Sequence, residues 1–153
     1  MIQDFEPIRL PAAGGHALIA SGAEQYAYDN FGYAAARIVG STLYVSGVVT
    51  TRQEGEGTDA DAFRAQARRS IAQLENTLKA AGLTFDDVVM INSFHVWDSA
   101  DFDGKPFDQI MLINQVRAEM GQAPHPAWTA VGTTGLLIPN GIVEIQLIAH
   151  MRS

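Results

Sequence analysis

The sequence contains no cysteine, and this absence excludes several kinds of chemistry. Without thiols, a chain forms no disulfide, supplies no thiolate to zinc and carries no cysteine nucleophile. The histidines lack the spacing of metal ligands, so we expect no metal site. They stand at His16, His95, His125 and His150. Neither of the common glycine-rich phosphate-loop motifs occurs, and we therefore expect no nucleotide or other cofactor.

The sequence is also poor in basic residues and in long apolar runs. Ten lysines and arginines stand against seventeen acidic residues, which gives a net charge of −7. We therefore expect no nucleic-acid partner, and we interpret the densest basic cluster, Arg64, Arg68 and Arg69, as a solvated helix face. No run of about eighteen apolar residues occurs, and residues 1–6 do not begin a signal peptide. These features predict a soluble, cytoplasmic protein that does not contact a membrane.

The composition predicts one globular domain over residues 1–153. Apolar residues make up 47% of the chain and charged residues 18%, proportions typical of a folded domain. Proline and glycine punctuate residues 1–30, which we interpret as an N-terminal extension or arm with one short strand near His16–Ala20. The segment Glu24–Tyr33 contains four aromatic residues. We expect a loop there, acting as a lid, a subunit contact or a fixed arm.

The order of the remaining elements predicts the fold class. Residue patterns indicate two strands, a helix, a strand, a second helix and two final strands. The predicted bounds are Tyr33–Val39, Thr42–Val48, a helix capped by Thr58 or Asp59 and ended by Gly82, Val88–Trp97, Phe107–Met120, Ala123–Gly132 and Leu136–His150. This ββαβαββ order is typical of an α+β domain with a mostly antiparallel sheet and two helices on one face. The other face needs cover, and partner subunits are the simplest source of it.

The last predicted strand contains the strongest candidate for a catalytic group. The pair Asn140-Gly141 favours a turn between this strand and the one before it. Side chains alternate along a strand, so Glu144 shares a face with Ile142 and Ile148. A carboxylate among apolar neighbours must be paired, hydrogen-bonded or partly neutral, and such positions favour acid or base chemistry. The alternative is an exposed glutamate at the rim or on an edge strand.

Several short motifs, taken together in order and spacing, resemble the Rid family, also called RidA, YjgF-like or L-PSP-type proteins. The resemblance runs from about Phe31 to the C-terminus. The matching residues are Phe31-Gly32-Tyr33, Leu43-Tyr44-Val45-Ser46-Gly47, Gln66-Ala67, Leu78, Ala81-Gly82-Leu83-Thr84, Asp87-Val88-Val89, Asp98 to Phe102, Pro126-Ala127, and Pro139 with Val143-Glu144-Ile145. The resemblance implies a chorismate-mutase-like (YjgF-like) α+β fold and a homotrimer with clefts between the subunits.

The resemblance also implies an activity, the hydrolysis of reactive enamines and imines to ketones and ammonia. In such members a tyrosine lines the cleft and a glutamate on the last strand positions water; Tyr33 and Glu144 match these residues. We also expect Gly47 and Ala130 among the substrate-binding residues; the Ser46-Gly47 pair lets backbone approach a ligand or another chain. An arginine that clamps the substrate carboxylate follows Pro-Ala in the family, and that position is Trp128 here.

Trp128 decides how far the family activity transfers to this chain. An arginine–carboxylate pair is charged and directional, whereas an indole offers one neutral donor. Losing such a charged contact typically costs about 2–5 kcal/mol. A cleft with Tyr33 and Trp128 therefore favours an uncharged or aromatic small molecule. Three arginines are candidates to replace the missing one from another direction: Arg37, Arg52 and Arg117.

The sequence leaves three functions open. The first is a Rid-like hydrolase or deaminase of altered specificity, in which Glu144 activates water while Trp128 and Tyr33 shape the pocket. The second is a non-catalytic trimer that binds a small metabolite in the same cleft, and the missing arginine favours it. The third, ribonuclease activity, ranks lowest because of the acidic balance. A short insertion around Asp103–Phe107 is a further departure from the family.

Overall fold

A computed structural model describes residues 4–121 and 124–152 of the chain. Within these ranges seven strands form one sheet, accompanied by three α-helices. The strands are β1 (Ile8–Ala12), β2 (Gly15–Ile19), β3 (Ala36–Val39), β4 (Thr42–Thr51), β5 (Val88–Val96), β6 (Ala127–Thr133) and β7 (Gly141–His150). The helices are α1 (Gly22–Phe31), α2 (Ala60–Ala80) and α3 (Pro106–Ala118), with a 3₁₀ turn at Phe85–Asp87. Residues 1–3 and 153 of the predicted domain, and Ala123 of a predicted strand, lie outside the described residues.

The sheet order is β1-β2-β3-β4-β7-β5-β6, with β5 and β6 parallel and the other pairs antiparallel. This mostly antiparallel sheet confirms the predicted α+β class. The expected turn before β7 does not join neighbouring strands, because β5 lies between β6 and β7. Leu147 of β7 pairs with Val45 on one side and with Ile91 on the other. Glu144 is therefore on a central strand, and the edge-strand alternative is wrong.

Helix α2 lies at the centre of the hydrophobic core. Its predicted apolar stripe is at most 2% exposed at every position: Phe63, Ala67, Ile71, Leu74 and Leu78. Burying each large side chain of this kind contributes about 1.5–3 kcal/mol. Asp59 caps the helix by accepting a hydrogen bond from the Ala62 N–H at 2.8 Å, and Gly82 follows its end with φ of +78°. In the described part of the chain, no helix is long and apolar enough to span a membrane.

The first thirty residues contain more regular structure than predicted. Strands β1 and β2 extend the sheet beyond β3, and β2 confirms the strand expected near His16–Ala20. The aromatic segment Glu24–Tyr33, however, is not a loop, because most of it belongs to α1, a third helix that the sequence did not predict. Ser21 accepts a hydrogen bond from the Glu24 N–H at 3.2 Å, and the buried Glu24 carboxylate accepts one from Thr77 of α2 at 2.9 Å. The pattern Ser-x-x-Glu is a helix-start signal that explains this difference.

Candidate functional site

Glu144 lies on the face of the sheet opposite the helices. Its neighbours along β7, Val143 and Ile145, are buried in the core, so the Glu144 side chain points the other way. Val49 of β4 and Phe94 of β5 lie opposite it in the flanking strands. The side chain is half-buried, and its carboxylate has no hydrogen-bond partner among residues 4–121 and 124–152. A carboxylate with free acceptor positions on a rigid central strand can hold a water molecule.

Gly47 leaves the space that the Glu144 carboxylate occupies. The pairing of β4 with β7 shifts register between Val45 and Val48, so Gly47 lies in a bulge. A Cβ atom at position 47 would lie 2.9 Å from Glu144 Cδ and closer still to one carboxylate oxygen. Real Cβ atoms essentially never approach a heavy atom so closely, so any larger residue would displace the carboxylate. The structure thus places these two predicted site residues side by side.

Tyr33 lies close to the same bulge. Tyr33 and Gly47 line a common cavity of about 240 Å³. Ser46, the other bulge residue, holds the segment that follows Tyr33 through two hydrogen bonds. The Ser46 N–H donates to the Ala35 carbonyl at 2.8 Å, and Ser46 Oγ donates to the Ala34 carbonyl at 2.6 Å. Tyr33 is 50% exposed and forms part of the open wall of this cavity, which residues of α1 and α2 also line.

Trp128 points to the helix side of the sheet, away from Glu144. It pairs with the buried Ile91 across the parallel β5–β6 ladder, and its ring packs against the core. Its Nε1–H donates a hydrogen bond to Ser93 Oγ at 2.8 Å. Ala130 pairs with Ser93 and so shares the face of Trp128. Within one chain, Trp128 and Ala130 therefore do not share a surface with Glu144.

Ala130 lines a pocket of about 820 Å³ where strands β5 and β6 end. The segment 97–107, which includes the predicted insertion at Asp103–Phe107, forms much of its wall. Trp97 and Phe107 are 62% and 69% exposed there, and Lys105 lies among acidic neighbours. This pocket and the cavity lined by Tyr33 and Gly47 share no lining residue.

A buried network of hydrogen bonds runs from Trp128 through Ser93 and His95 to Gln109. Ser93 Oγ lies 2.7 Å from His95 Nε2, and His95 Nδ1 lies 2.8 Å from Gln109 Oε1. Because the Gln109 oxygen only accepts, the proton belongs on Nδ1, and Ser93 donates to Nε2 while it accepts from Trp128. Burial lowers the pKa of His95, although its hydrogen bond with Gln109 opposes part of this effect. The imidazole is therefore neutral at pH 7, and this network positions the indole.

Sequence reasoning missed Ser93, His95 and Gln109. Ser93 and His95 are two residues apart, so they share the inward face of β5. Two polar residues at that spacing on a buried strand face are the signal of an internal hydrogen-bond network. Among the residues that the structure describes, no group of three or more acidic or histidine side chains is placed to hold a metal ion.

The three arginines considered as replacements lie in different surroundings. Arg52 forms an ion pair with Asp101 at 3.3 Å. Arg117 is 6% exposed and bonds to Asn114 Oδ1 at 2.8 Å. Arg37 is exposed on β3, where its Nη2 donates to the Ala13 carbonyl at 3.3 Å. Arg37 forms no ion pair with any carboxylate of the described residues, so its charge is available to a ligand.

Comparisons with known proteins agree with this fold. A model of the family described as endoribonuclease L-PSP matches residues 26–151. The RutC family protein YjgH of Escherichia coli (strain K12) is 38% identical over 125 residues, covering 81% of this chain and 86% of YjgH. The 2-iminobutanoate/2-iminopropanoate deaminase of Dermatophagoides farinae is 29% identical over 116 residues, covering 76% of this chain and 83% of that protein. The crystal structure of RidA from Psychrobacter sp. PAMC 21119 is 29% identical, with a TM-score of 0.59 over 78% of this chain and 88% of that one.

Proposed function

Because the chain belongs to the endoribonuclease L-PSP family, which includes RidA-type and YjgF-type proteins, we propose that it hydrolyses a small reactive imine or enamine to a ketone and ammonia. This membership confirms the resemblance seen in the sequence motifs. The proposed specificity differs from that of an arginine-containing relative, since Trp128 occupies the position where the family arginine is expected. The relative from Dermatophagoides farinae is named for deamination of two small imino acids, which supports the reaction class.

The observation that carries the proposal is the placement of Glu144 beside Gly47. The carboxylate is half-buried on a central strand, and no described side chain competes for its oxygens. Such a group accepts a hydrogen bond from water and can take its proton in the transition state. Tyr33 lines a cavity together with Gly47 and supplies a ring against which a small substrate can pack.

The proposed reaction adds one water molecule to the carbon–nitrogen double bond. Glu144 takes a proton from the water as the water oxygen bonds to the imine carbon. The electron pair of the broken π bond moves to the nitrogen, which takes the proton back from Glu144. Glu144 then takes the hydroxyl proton of the carbinolamine and passes it to the nitrogen, the carbon–nitrogen bond breaks, ammonia leaves, and the hydroxyl oxygen becomes the carbonyl of the ketone. Rigid placement of water and carboxylate lowers the entropic part of the barrier to such a step.

Trp128 makes small 2-imino acids poor substrates in this proposal. Its indole N–H is already bonded to Ser93, and the ring carries no charge to attract a carboxylate. A substrate with an apolar or aromatic body fits the tyrosine-lined cleft better than a small anion does.

We also propose that the protein is a homotrimer with clefts between its subunits. The uncovered face of the sheet carries Phe94 and Val131, which are 36% and 48% exposed. Apolar side chains on such a face favour burial against another copy. In the trimer, Trp128 and Ala130 of one copy can complete a cleft that Tyr33 and Glu144 of the next copy begin. Light scattering at micromolar concentration should give about three times the 16.5 kDa monomer mass, and a monomeric mass would contradict the proposal.

The reaction is tested with imines generated in place by an amino-acid oxidase. Small 2-imino acids and one 2-imino acid with an aromatic side chain are supplied to the wild type, and conversion to the ketone is followed by competition with semicarbazide. We expect faster conversion of the aromatic imine by the wild type. Trp128→Arg, which restores a cation, should raise the rate on the small 2-imino acids relative to the aromatic one.

The same assay separates an enzyme from a binding protein. A wild type that leaves every imine at its uncatalysed rate, yet shows saturable binding and a thermal shift with the ketone products, is a non-catalytic binder. A wild type that prefers the smallest 2-imino acids would show that the family contact is supplied elsewhere and that Trp128 does not set specificity.

A further inference from the structure

A second cavity, of about 450 Å³, opens on the uncovered face of the sheet between β1–β4 and α1. Small residues form its floor and three tyrosines stand around it: Ala12, Ala17, Ala34 and Ala36, with Tyr28, Tyr33 and Tyr44. Four of its lining residues, Leu10, Pro11, Ala12 and Ala17, belong to β1 and β2, which precede the region that the family model matches. No role assigned above accounts for it.

Arg37 is the single charged residue among those that line this cavity. In a protein of net charge −7, a cavity whose lining carries one positive charge and no described acid selects anions. Arg37 differs in this respect from the arginines of α2. Arg64, Arg68 and Arg69 each form an ion pair with a carboxylate. One N–H of the Arg37 guanidinium donates to the Ala13 carbonyl. Its other N–H groups are available to hydrogen-bond a ligand.

The groups around Arg37 suit a carboxylate that is attached to a flat or apolar body. Tyr44 lies directly opposite Arg37 in the β3–β4 pair. Tyr33 and Gln146 also line the cavity, so rings and amide donors surround the guanidinium. A planar guanidinium bonds a carboxylate through two parallel hydrogen bonds, which fixes the orientation of the ligand.

This cavity adjoins the one that Tyr33 and Gly47 line, and Gly47 in turn lies beside Glu144. Tyr33 and Ser46 line both of them, and Gln146 is two residues from Glu144 on the same face of β7. The β7 residue in the row of Arg37 and Tyr44 is Ile148, four residues from Glu144. Two strand spacings of about 4.8 Å and four rises of about 3.4 Å put the Cα atoms of Arg37 and Glu144 about 17 Å apart. The bond to the Ala13 carbonyl holds the Arg37 guanidinium near the β1–β2 turn, so it does not lean toward Glu144 and most of this distance separates the two side-chain ends.

We infer that Arg37 receives the carboxylate of the substrate, and that several bonds separate this carboxylate from the reacting imine carbon. The inference rests on the proposed function, because it assigns the reacting carbon to Glu144. The ligand class is an imine with a remote carboxylate, its body lying across Tyr33. A 2-imino acid, whose carboxylate is attached to the imine carbon itself, cannot reach both groups at once.

The test measures equilibrium binding of stable ketones, the products of the reaction, and therefore needs no activity. Calorimetry compares pyruvate, 5-oxohexanoate and 4-acetylbenzoate. Acetophenone, which is 4-acetylbenzoate without its carboxylate, is the uncharged control. We expect the two ketones with remote carboxylates to bind the wild type at least about tenfold more tightly than pyruvate or acetophenone. Arg37→Gln should weaken their binding about ten- to a hundredfold, and Arg37→Lys should weaken it less.

Arg9→Gln is the matched control. Arg9 is also an exposed strand arginine with one hydrogen bond to a carbonyl, Ala80 O at 3.1 Å, but it lies on the helix side. Its substitution should leave binding unchanged. Equal binding of 4-acetylbenzoate by wild type and Arg37→Gln, or tightest binding of pyruvate, would overturn the inference. If Arg37→Gln loses binding but the wild type hydrolyses no imine, the anion site at Arg37 is supported and the proposed reaction is contradicted.

Discussion

The carboxylate of Glu144 fills the space beside Gly47 that a side chain at position 47 would need, with Glu144 Cδ 2.9 Å from the site of a Cβ atom. The atoms in the way belong to the end of a flexible glutamate and not to backbone. An added methyl group would therefore move the carboxylate rather than the strand. This relationship gives the Ser46-Gly47 motif a physical reason, which is access of the carboxylate to the cleft.

Gly47→Ala should fold normally and lose activity. We expect the free energy of unfolding to change by less than about 1 kcal/mol and kcat to fall at least about tenfold, because the carboxylate no longer holds water in place. Urea unfolding and the imine assay measure these two quantities. Gly135→Ala is the control, since a Cβ there meets nothing within 4 Å. Equal activity of the two variants would show that the position of the carboxylate does not matter.

The hydrogen bond between Trp128 and Ser93 should contribute measurably to stability. Trp128→Phe removes the N–H donor while it keeps an aromatic ring, and we expect a loss of about 0.5–1.5 kcal/mol in the free energy of unfolding. A double-mutant cycle with Ser93→Ala isolates the pair. Trp97→Phe serves as the control, because Trp97 is 62% exposed. A coupling energy near zero would contradict the proposed network through Ser93 to His95.

His95 should make the stability depend on pH near neutrality. Burial lowers the pKa of His95 in the folded protein, so the unfolded chain binds its proton first as the pH falls. The contribution of neutral His95 to the free energy of unfolding is fully present above the unfolded-state pKa of about 6.5. As the pH falls below that value, the free energy of unfolding decreases by up to about 1.4 kcal/mol per pH unit. Urea unfolding at pH 7.5 and 5.5 measures this loss. His95→Gln should reduce the difference in unfolding free energy between pH 7.5 and pH 5.5. An unchanged difference would show that other groups cause the pH dependence.

The protein should not cleave RNA, despite the description of its family. The basic cluster on α2 is neutralised by ion pairs with Asp61, Glu119 and Glu56 at 2.6–2.9 Å, which leaves little positive charge for phosphates. Labelled RNA incubated with rigorously purified protein at low salt should remain intact. Cleavage that follows the protein through every purification step and weakens with salt would reverse this expectation.

Much of the fold could be predicted from the sequence, because local signals and burial agree there. The apolar stripe of α2, its Asp59 cap and the Gly82 stop indicated that helix, and alternation along β7 indicated a strand with one buried face. The N-terminal elements could not be placed in the same way. Pro11 and the glycines suggested breaks, yet the pairing of β2 with β3 overrides these local preferences.

The site was predictable in part, for the same reason. Tyr33 and Glu144 match family positions; the structure puts Glu144 beside Gly47, and Tyr33 lines a cavity with Gly47, while the roles of all three stay predictions. The direction of Trp128 was not predictable, because it depends on the register of the parallel β5–β6 pair, to which distant segments contribute. Strand order likewise decides that Arg37 and Glu144 share a face of the sheet, and no local pattern encodes strand order.

The most direct measurement is the rate of ketone formation from an imine by Glu144→Gln, compared with wild type at equal folded concentration. The amide keeps the shape of the side chain and removes its ability to take a proton, so kcat should fall by about two orders of magnitude or more. Glu75→Gln is the control, because Glu75 is also partly buried but lies on α2, paired with Lys79. Retention of full activity by Glu144→Gln would remove Glu144 from the mechanism.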